Sequence, residues 1–295
     1  MVKNSLVEDL RKGDLILKIN EKQIDEYYKE LSRYISASSE RCRQVAFTNI
    51  PRWLTESIPE NYVLEFINER GEIKKIQVDR GKLAFGKSEQ KTEGGWIKEN
   101  KIASIKIPSF DNPRFENEAI ELIKKYKDAK VLIIDVKGND GGSTPSRLIE
   151  SLMERPYRLW AESTPMSIGI FKFYVEFIPE NDLNSYFRNS HLLWKPSYQK
   201  PENTLFSNKI IILTDRYTVS AAEDFVVPFK DNARALIIGE ASEGSTGQPY
   251  IYNFGNGIRI GIGLPAVLQD VILNRIDHIQ MVVGNPADFL GWVYG

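Results

Sequence analysis

Two short, almost wholly apolar runs constrain this chain more than any other feature. Val131 to Val136 and Ile210 to Leu213 are each strand-sized and bounded by turn residues. A strand apolar on every position needs cover on both faces of its sheet, which is the condition of a buried parallel sheet. Helical patterns sit between such strands. Phe115, Ala119, Leu122, Ile123 and Tyr126 mark one apolar helix face, a second helix starts from Pro145, and a third starts near Ser220. Ile102 to Ile107 and Leu236 to Gly239 add further strands, and Tyr250 to Leu264 reads as a hairpin turning at Gly255-Asn256-Gly257. Strand-helix-strand order predicts α/β layers joined by right-handed crossovers.

Upstream the pattern changes. Asp14 to Asn20 alternates like a strand after a Lys12-Gly13 turn, and Ile24 to Ile35 has helical periodicity. Ser39 to Thr55 reads as a helix interrupted at Pro51. Tyr62 to Asn68 and Ile73 to Val78 flank Glu69-Arg70-Gly71-Glu72 as a hairpin. Residues 81–95, rich in Gly, Lys and Glu, read as a linker, which divides the chain into 1–80 and 96–295. The aromatic-rich stretch 155–207 has no clean period and supports no assignment.

Charge and composition exclude several functions. With 39 basic and 40 acidic residues among 295, the net charge is -1, so there is no basic face for nucleic acid or an anionic membrane. A hydrophobic content of 42% and a charged content of 27% are those of a folded chain. Cys42 is the single cysteine, and His191 and His278 are the two histidines. That rules out a disulfide framework and a cysteine- or histidine-rich metal site. No apolar run approaches the roughly 20 residues of a membrane helix, and the N-terminus has no apolar signal core. On these grounds the chain is cytosolic, or a trimmed part of an exported protein.

Three segments could carry chemistry. Asp135-Val136-Lys137-Gly138-Asn139-Asp140-Gly141-Gly142-Ser143-Thr144-Pro145 joins an apolar strand to a helix. Its glycines leave N–H groups uncovered, which suits a phosphate or a developing oxyanion beside a helix start. Thr218-Val219-Ser220-Ala221-Ala222-Glu223 follows the second apolar strand. A serine at such a turn has its hydroxyl lifted to the sheet edge, as a nucleophile requires. Gly239 to Pro249 is a loop of glycines, hydroxyls and an amide after the third strand. Taken singly, the first is equally a plain turn, the second a Ser-x-x-Glu capping box, and the third a surface turn.

Their order is more specific. Asp135-x-Lys-Gly-Asn-x-Gly-Gly, then Ser220-Ala-Ala-Glu, then Asp231-Asn-Ala-Arg-Ala, then Gly239-Glu and a Gly loop resembles the carboxy-terminal processing (tail-specific) serine proteases over residues 96–295. Leu10 to Asn20 looks like the Gly-Asp-x-Ile-x-x-Ile-Asn core of the PDZ-type domain these proteases carry upstream. The resemblance implies a crotonase-like (ClpP/crotonase) β-α core behind an incomplete PDZ-like domain with a helical insertion. It implies serine endopeptidase activity on polypeptide, on an unstructured or C-terminal segment, with no metal or organic cofactor. By position Ser220 is the nucleophile, and the amides of Ala221, Gly141 and Gly142 form the oxyanion hole. Glu223, Asp231 and Arg234 are supports, and Ser245, Thr246, Gln248 and Glu223 line the site.

The base departs from the best-known branch. Where that branch places its lysine stands Ser245, and where its glutamine follows stands Pro249, with Gln248 one residue early. The Ser-Lys dyad is therefore absent, and the loop looks nearer the tricorn-type members, which take a histidine from a helical segment before the PDZ-like domain. The chain reads as starting inside that domain, hence as a fragment or truncated homologue, weakly active for want of a base. His191 as a lid over the site, His278 as a structural residue, and Lys230 pointing elsewhere are the remaining readings. Family resemblance also implies an extracytoplasmic full-length protein. Two other classes stay open: a non-catalytic peptide-binding relative, and a crotonase-type acyl-thioester enzyme.

Overall fold

The computed structural model describes residues 2, 5, 7, 9–35, 37, 40–49, 61–79, 90–165, 191–194, 197–244, 249–253, 259–263 and 266–268. The chain forms two compact units, Met1–Glu89 and Gln90–Gly295.

In the first unit β1 (Leu15–Ile19), β2 (Lys22–Gln23), β3 (Asn61–Ile67) and β4 (Ile73–Asp79) form an antiparallel sheet in the order β2-β1-β3-β4. The β3–β4 turn is closed by Asn68, whose Oδ1 accepts the N–H groups of Arg70 and Glu72, both at 3.0 Å. Helices α1 (Ile24–Leu31) and α2 (Glu40–Asn49) complete the unit. Alternate strand residues Ile19, Leu64, Phe66 and Val78 meet Tyr27 and Leu31 in one core. Pro51 lies outside the described residues.

The second unit is built on a five-stranded sheet in the order β13-β12-β7-β6-β5. Its strands are β5 (Glu93–Lys98), β6 (Ile102–Lys106), β7 (Val131–Asp135), β12 (Lys209–Thr214) and β13 (Ala235–Gly239). β6, β7, β12 and β13 are parallel, and β5 runs antiparallel along β6. Leu132, Ile134, Ile210 and Ile212 are at most 1% exposed, as the apolar runs require. Between the strands run α3 (Pro113–Lys125), α4 (Ser146–Leu152) and α5 (Ala221–Asp231). Strand order follows chain order, so successive right-handed crossovers bring all three helices to one face, where α3 meets α4 and α4 meets α5. The start of α3 is fixed by Asn112, whose Oδ1 accepts the Arg114 N–H at 2.9 Å, and by Pro113 in the first turn.

β5 opens inside the stretch that composition marks as a linker. Gly94 is there for contact rather than slack: a Cβ on it would lie 2.9 Å from the Tyr126 ring and 3.1 Å from Leu122. The unassigned stretch contains β8 (Tyr157–Arg158), β9 (Ala161–Pro165), β10 (His191–Trp194) and β11 (Tyr198–Gln199). β8 pairs with β11, and β9 lies between β10 and β16 (Ala266–Leu268). Strands of two residues are too short to show a period. The expected hairpin forms between β14 (Pro249–Asn253) and β15 (Arg259–Gly263). The expected crotonase-like core needs correction here. The four parallel strands are bordered by antiparallel β5 and accompanied by three separate antiparallel ribbons, an architecture that alternating apolar strands and helices do not encode.

Arg234 locks the helix layer to the loops beyond it. Its guanidinium donates to the carbonyls of Leu152 (2.8 Å), Phe206 (2.8 Å) and Asn208 (2.9 Å) and pairs with Glu154 at 3.2 Å. An ammonium cannot reproduce that planar fork. Arg234→Lys is therefore expected to cost at least about 2 kcal/mol, since carbonyls on the buried side lose their donors. Urea unfolding of the two proteins measures it.

Candidate active site at the carboxyl edge of the sheet

The parallel strands end together, with Lys106 opposite Asp135, Asp135 opposite Leu213, and Thr214 opposite Gly239. The loops that follow therefore emerge side by side. The first is organised by Asn139, which is fully buried. Its Nδ2 donates to Ile107 O at 3.1 Å, and its Oδ1 accepts the Gly141 N–H at 2.9 Å. Its carbonyl accepts the Val219 N–H at 3.1 Å. Gly141 and Gly142 have φ of 87° and 132°, in the region that favours glycine. A Cβ on Gly142 would fall 2.1 Å from the Phe110 carbonyl carbon. Only glycine allows the bridge in which Phe110 N–H donates to Gly141 O (2.8 Å) and Ser143 N–H to Phe110 O (2.9 Å).

The second loop is tied to the first. Asp215 Oδ1 accepts the N–H groups of Gly138 (2.9 Å) and Tyr217 (3.0 Å), and Thr218 Oγ1 donates to Val136 O at 3.0 Å. The chain then turns at Ser220, with φ 55° and ψ -124°. An ordinary helix cap is extended, so this conformation is strained for serine, by about 1–3 kcal/mol. Gly141 lies directly against this turn: a Cβ there would lie 2.7 Å from Ser220 Cβ and 3.2 Å from Ala221 N.

Five of the residues singled out in the sequence thus converge: Gly141, Gly142, Ser220, Ala221 and Glu223. Their roles separate, however. The Gly141 N–H is spent on Asn139, whereas the N–H groups of Gly142 and Ala221 have no partner among the described residues. Glu223, 3% exposed, accepts the Ser220 N–H on Oε2 (3.2 Å) and the Gly244 N–H on Oε1 (2.8 Å). One carboxylate thereby ties the turn to the third loop, which also returns the Glu243 N–H to Thr218 O at 3.0 Å. Ser245, Thr246, Gln248 and His278 lie outside the described residues. His191 opens β10, where its backbone stands opposite Pro165. Lys230 is in the last turn of α5, away from Ser220 at its start. Among the described residues no group of three or more His, Cys, Asp or Glu could hold a metal, and no helix is long and apolar enough to cross a membrane.

Sequence reasoning missed Asn139 as the tie between loops, although it stands in the quoted motif. It also missed the Thr144 hydroxyl donating to Asp224 at 2.8 Å and Ser109 donating to Asp140 at 2.8 Å. Partners so far apart in the chain leave no local signal.

A serine held in a strained strand-to-helix turn, beside two amides without a partner among the described residues, is an arrangement that suits a serine-type hydrolase. The profile of peptidase family S41 matches residues 101–269, and the chain belongs to that family. It is a serine-type peptidase, similar to the tail-specific proteases, and its substrate is polypeptide. Mature CPAF complexed with lactacystin is similar in structure, with a TM-score of 0.64 at 17% identity over 90% of this chain and 71% of that one. A second structure of mature CPAF gives 0.65 at 15% identity, over 90% and 70%. A putative peptidase from Parabacteroides merdae gives 0.51 at 17%, over 92% and 85%. These likenesses and the family match point to the tail-specific-protease fold, which overturns the crotonase-like assignment.

Two outcomes follow from this geometry. Glycine relieves about 1–3 kcal/mol of strain at position 220 and adds about 0.5–1 kcal/mol of unfolded-state entropy. Ser220→Gly should therefore exceed Ser220→Ala in stability by about 1 kcal/mol, read from denaturant midpoints. The half-buried Glu243 carboxyl is held above its ordinary pKa, first by burial and then by the charge of Glu223. Its raised folded-state pKa leaves stability intact below the ordinary carboxylate range and withdraws it as pH rises through the raised value. Glu243→Gln should raise the melting temperature at pH 8 and leave it unchanged at pH 4.

Proposed function

We propose that Ser220 is the nucleophile of this peptidase, with the N–H groups of Ala221 and Gly142 as oxyanion donors. One observation carries the reading: Ser220 occupies a backbone region costly for serine, at the carboxyl edge, directly against the Gly141-Gly142 turn. In the reaction Ser220 Oγ gives its proton to a general base, which later passes it to the leaving nitrogen, as Oγ bonds to the carbonyl carbon and the carbonyl oxygen gathers negative charge between the two amides. The peptide C–N bond then breaks and the nitrogen leaves with a proton. Water hydrolyses the acyl-enzyme and restores the serine. Asn139 and Glu223 do not touch the substrate; they are positioning residues for the Gly loop and for the turn.

In this reading the chain belongs to a branch without the Ser-Lys dyad. Ser245 stands at the lysine position, and a serine hydroxyl is too weak a base to take the nucleophile's proton. The base is then a histidine, as the resemblance to the tricorn-type members implies, or another group outside that dyad. The preferred substrate is an unstructured or C-terminal segment, because an extended chain is what can be laid across an open sheet edge.

Labelling with a fluorophosphonate tests the assignment. The wild-type chain should be modified at Ser220, Ser220→Ala should not be modified, and lactacystin, a ligand of mature CPAF, should compete. Labelling at another residue, or undiminished peptide cleavage by Ser220→Ala, overturns it.

A further inference from the structure

The peptide that joins Gly141 to Gly142 carries the Gly142 N–H on one side and the Gly141 oxygen on the other. A peptide is planar and trans, so these two groups point in opposite directions. Whatever grips the oxygen therefore aims the amide. Two donors grip it, both from the segment that follows β6: the Phe110 N–H at 2.8 Å and the Ser109 hydroxyl at 3.3 Å. Ser109 is 1% exposed and takes no part in the reading of the site so far.

Of the two donors, the hydroxyl is the adjustable one. Ser109 Oγ accepts the Asp111 N–H at 3.2 Å, which leaves it one proton to donate and two acceptors for that proton. The nearer is Asp140 Oδ1 at 2.8 Å, the farther Gly141 O at 3.3 Å. A carboxylate is the stronger acceptor, so the resting hydroxyl points to Asp140. Asp140 is exposed, and water screens its charge, whereas Gly141 is buried, where a hydrogen bond is electrostatically stronger. When negative charge gathers at the Gly142 N–H, the amide shifts electron density onto the Gly141 oxygen, and that oxygen becomes the better acceptor. Turning the Ser109 O–H from Asp140 to Gly141 O breaks no covalent bond and needs no movement of the backbone.

From this arrangement we infer that Ser109 is a positioning residue for the reaction, whose hydroxyl supports the oxyanion through the Gly141–Gly142 peptide and does so more strongly in the transition state than in the substrate complex. The inference rests on the Gly142 amide being an oxyanion donor beside Ser220. Ser109 acts through the peptide and needs no contact with the substrate. Support that strengthens only as charge develops lowers the barrier without tightening substrate binding, so its loss falls on kcat and spares KM. The effect is that of one neutral hydrogen bond, about three- to tenfold, and smaller than the about 10²–10³-fold of a direct oxyanion donor.

Peptide cleavage by the wild-type chain, Ser109→Ala, Asp140→Ala and the double variant forms a cycle that separates the two acceptors. Ser109→Ala should lower kcat about three- to tenfold with KM unchanged. The same factor should be lost when Ser109→Ala is added to Asp140→Ala, because the Gly141 carbonyl is still there to lose its donor. A serine that merely ties down Asp140 has no further effect once Asp140 is gone. That result, an unaltered kcat, or a change confined to KM overturns the inference. Ser109→Cys, which keeps the shape but has a weak donor, should lower kcat in the same way should the alanine variant fail to fold. The amide nitrogen resonance of Gly142 reads the peptide without catalysis. Asp140→Ala, which frees the hydroxyl for Gly141 O, should move it downfield, and adding Ser109→Ala should return it upfield; a resonance indifferent to Ser109 overturns the inference. Absent fluorophosphonate labelling of wild-type Ser220 overturns the nucleophile assignment instead, and the resonance then still decides whether Ser109 acts on this peptide.

Discussion

The buried amide of Asn139 is the interaction on which the carboxyl edge depends. Its Nδ2 holds the end of β6 through Ile107 O, its Oδ1 takes the Gly141 N–H, and its backbone oxygen takes the Val219 N–H. Three chain segments from three strand ends are thus referred to one residue. Because Asn139 is fully buried, the loss of any of these bonds leaves a buried polar group unsatisfied, at about 1–3 kcal/mol. The consequence is directional. Because Gly141 points its N–H inward to Asn139, the next amide, that of Gly142, is left for an outside acceptor.

Glu223 does for the Ser220 turn what Asn139 does for the Gly loop. A serine at φ 55° stays there only where the surroundings over-determine it. The surroundings here are the Glu223 carboxylate on the Ser220 N–H, the Asn139 carbonyl on the preceding amide, and the Thr218 hydroxyl on Val136 O. Glu243, close by in the third loop, is driven toward its neutral form, first by its own burial and then by the charge of Glu223. The site therefore couples backbone strain, a buried charge and the protonation of a second carboxyl in one small volume.

A cavity beyond the Gly loop is built from a different class of material. Its walls come from the start of α4 and from the short strands of residues 157–202, stitched to the end of α5 by Asn232. The parallel sheet carries the Gly loop and the Ser220 turn, and the short strands beyond it line the cavity. Sheet positions are constrained by strand register and close packing.

The sequence by itself determined the buried strands, the helix starts and the three loops that carry chemistry. Apolar runs such as Val131 to Val136 report burial directly, and Asn112-Pro113 and Ser220-x-x-Glu223 report helix starts through local bonds. The motif order was also enough to group Gly141, Gly142, Ser220, Ala221 and Glu223. Tertiary structure alone decided which of two glycine amides faces outward, because the choice rests on Asn139 bonding to both Gly141 and Ile107. It decided that Ser220 is a strained turn rather than an ordinary cap, since a capping-box pattern specifies partners and not the φ of the cap residue. It made Gly94 part of a strand through contact with Tyr126, where composition alone reads a linker. It also assembled the cavity from strands of two residues, whose pairing is set by distant partners such as Asn232 and Arg158. Periodicity records which residues are buried; the direction of a single N–H depends on what the fold brings opposite it.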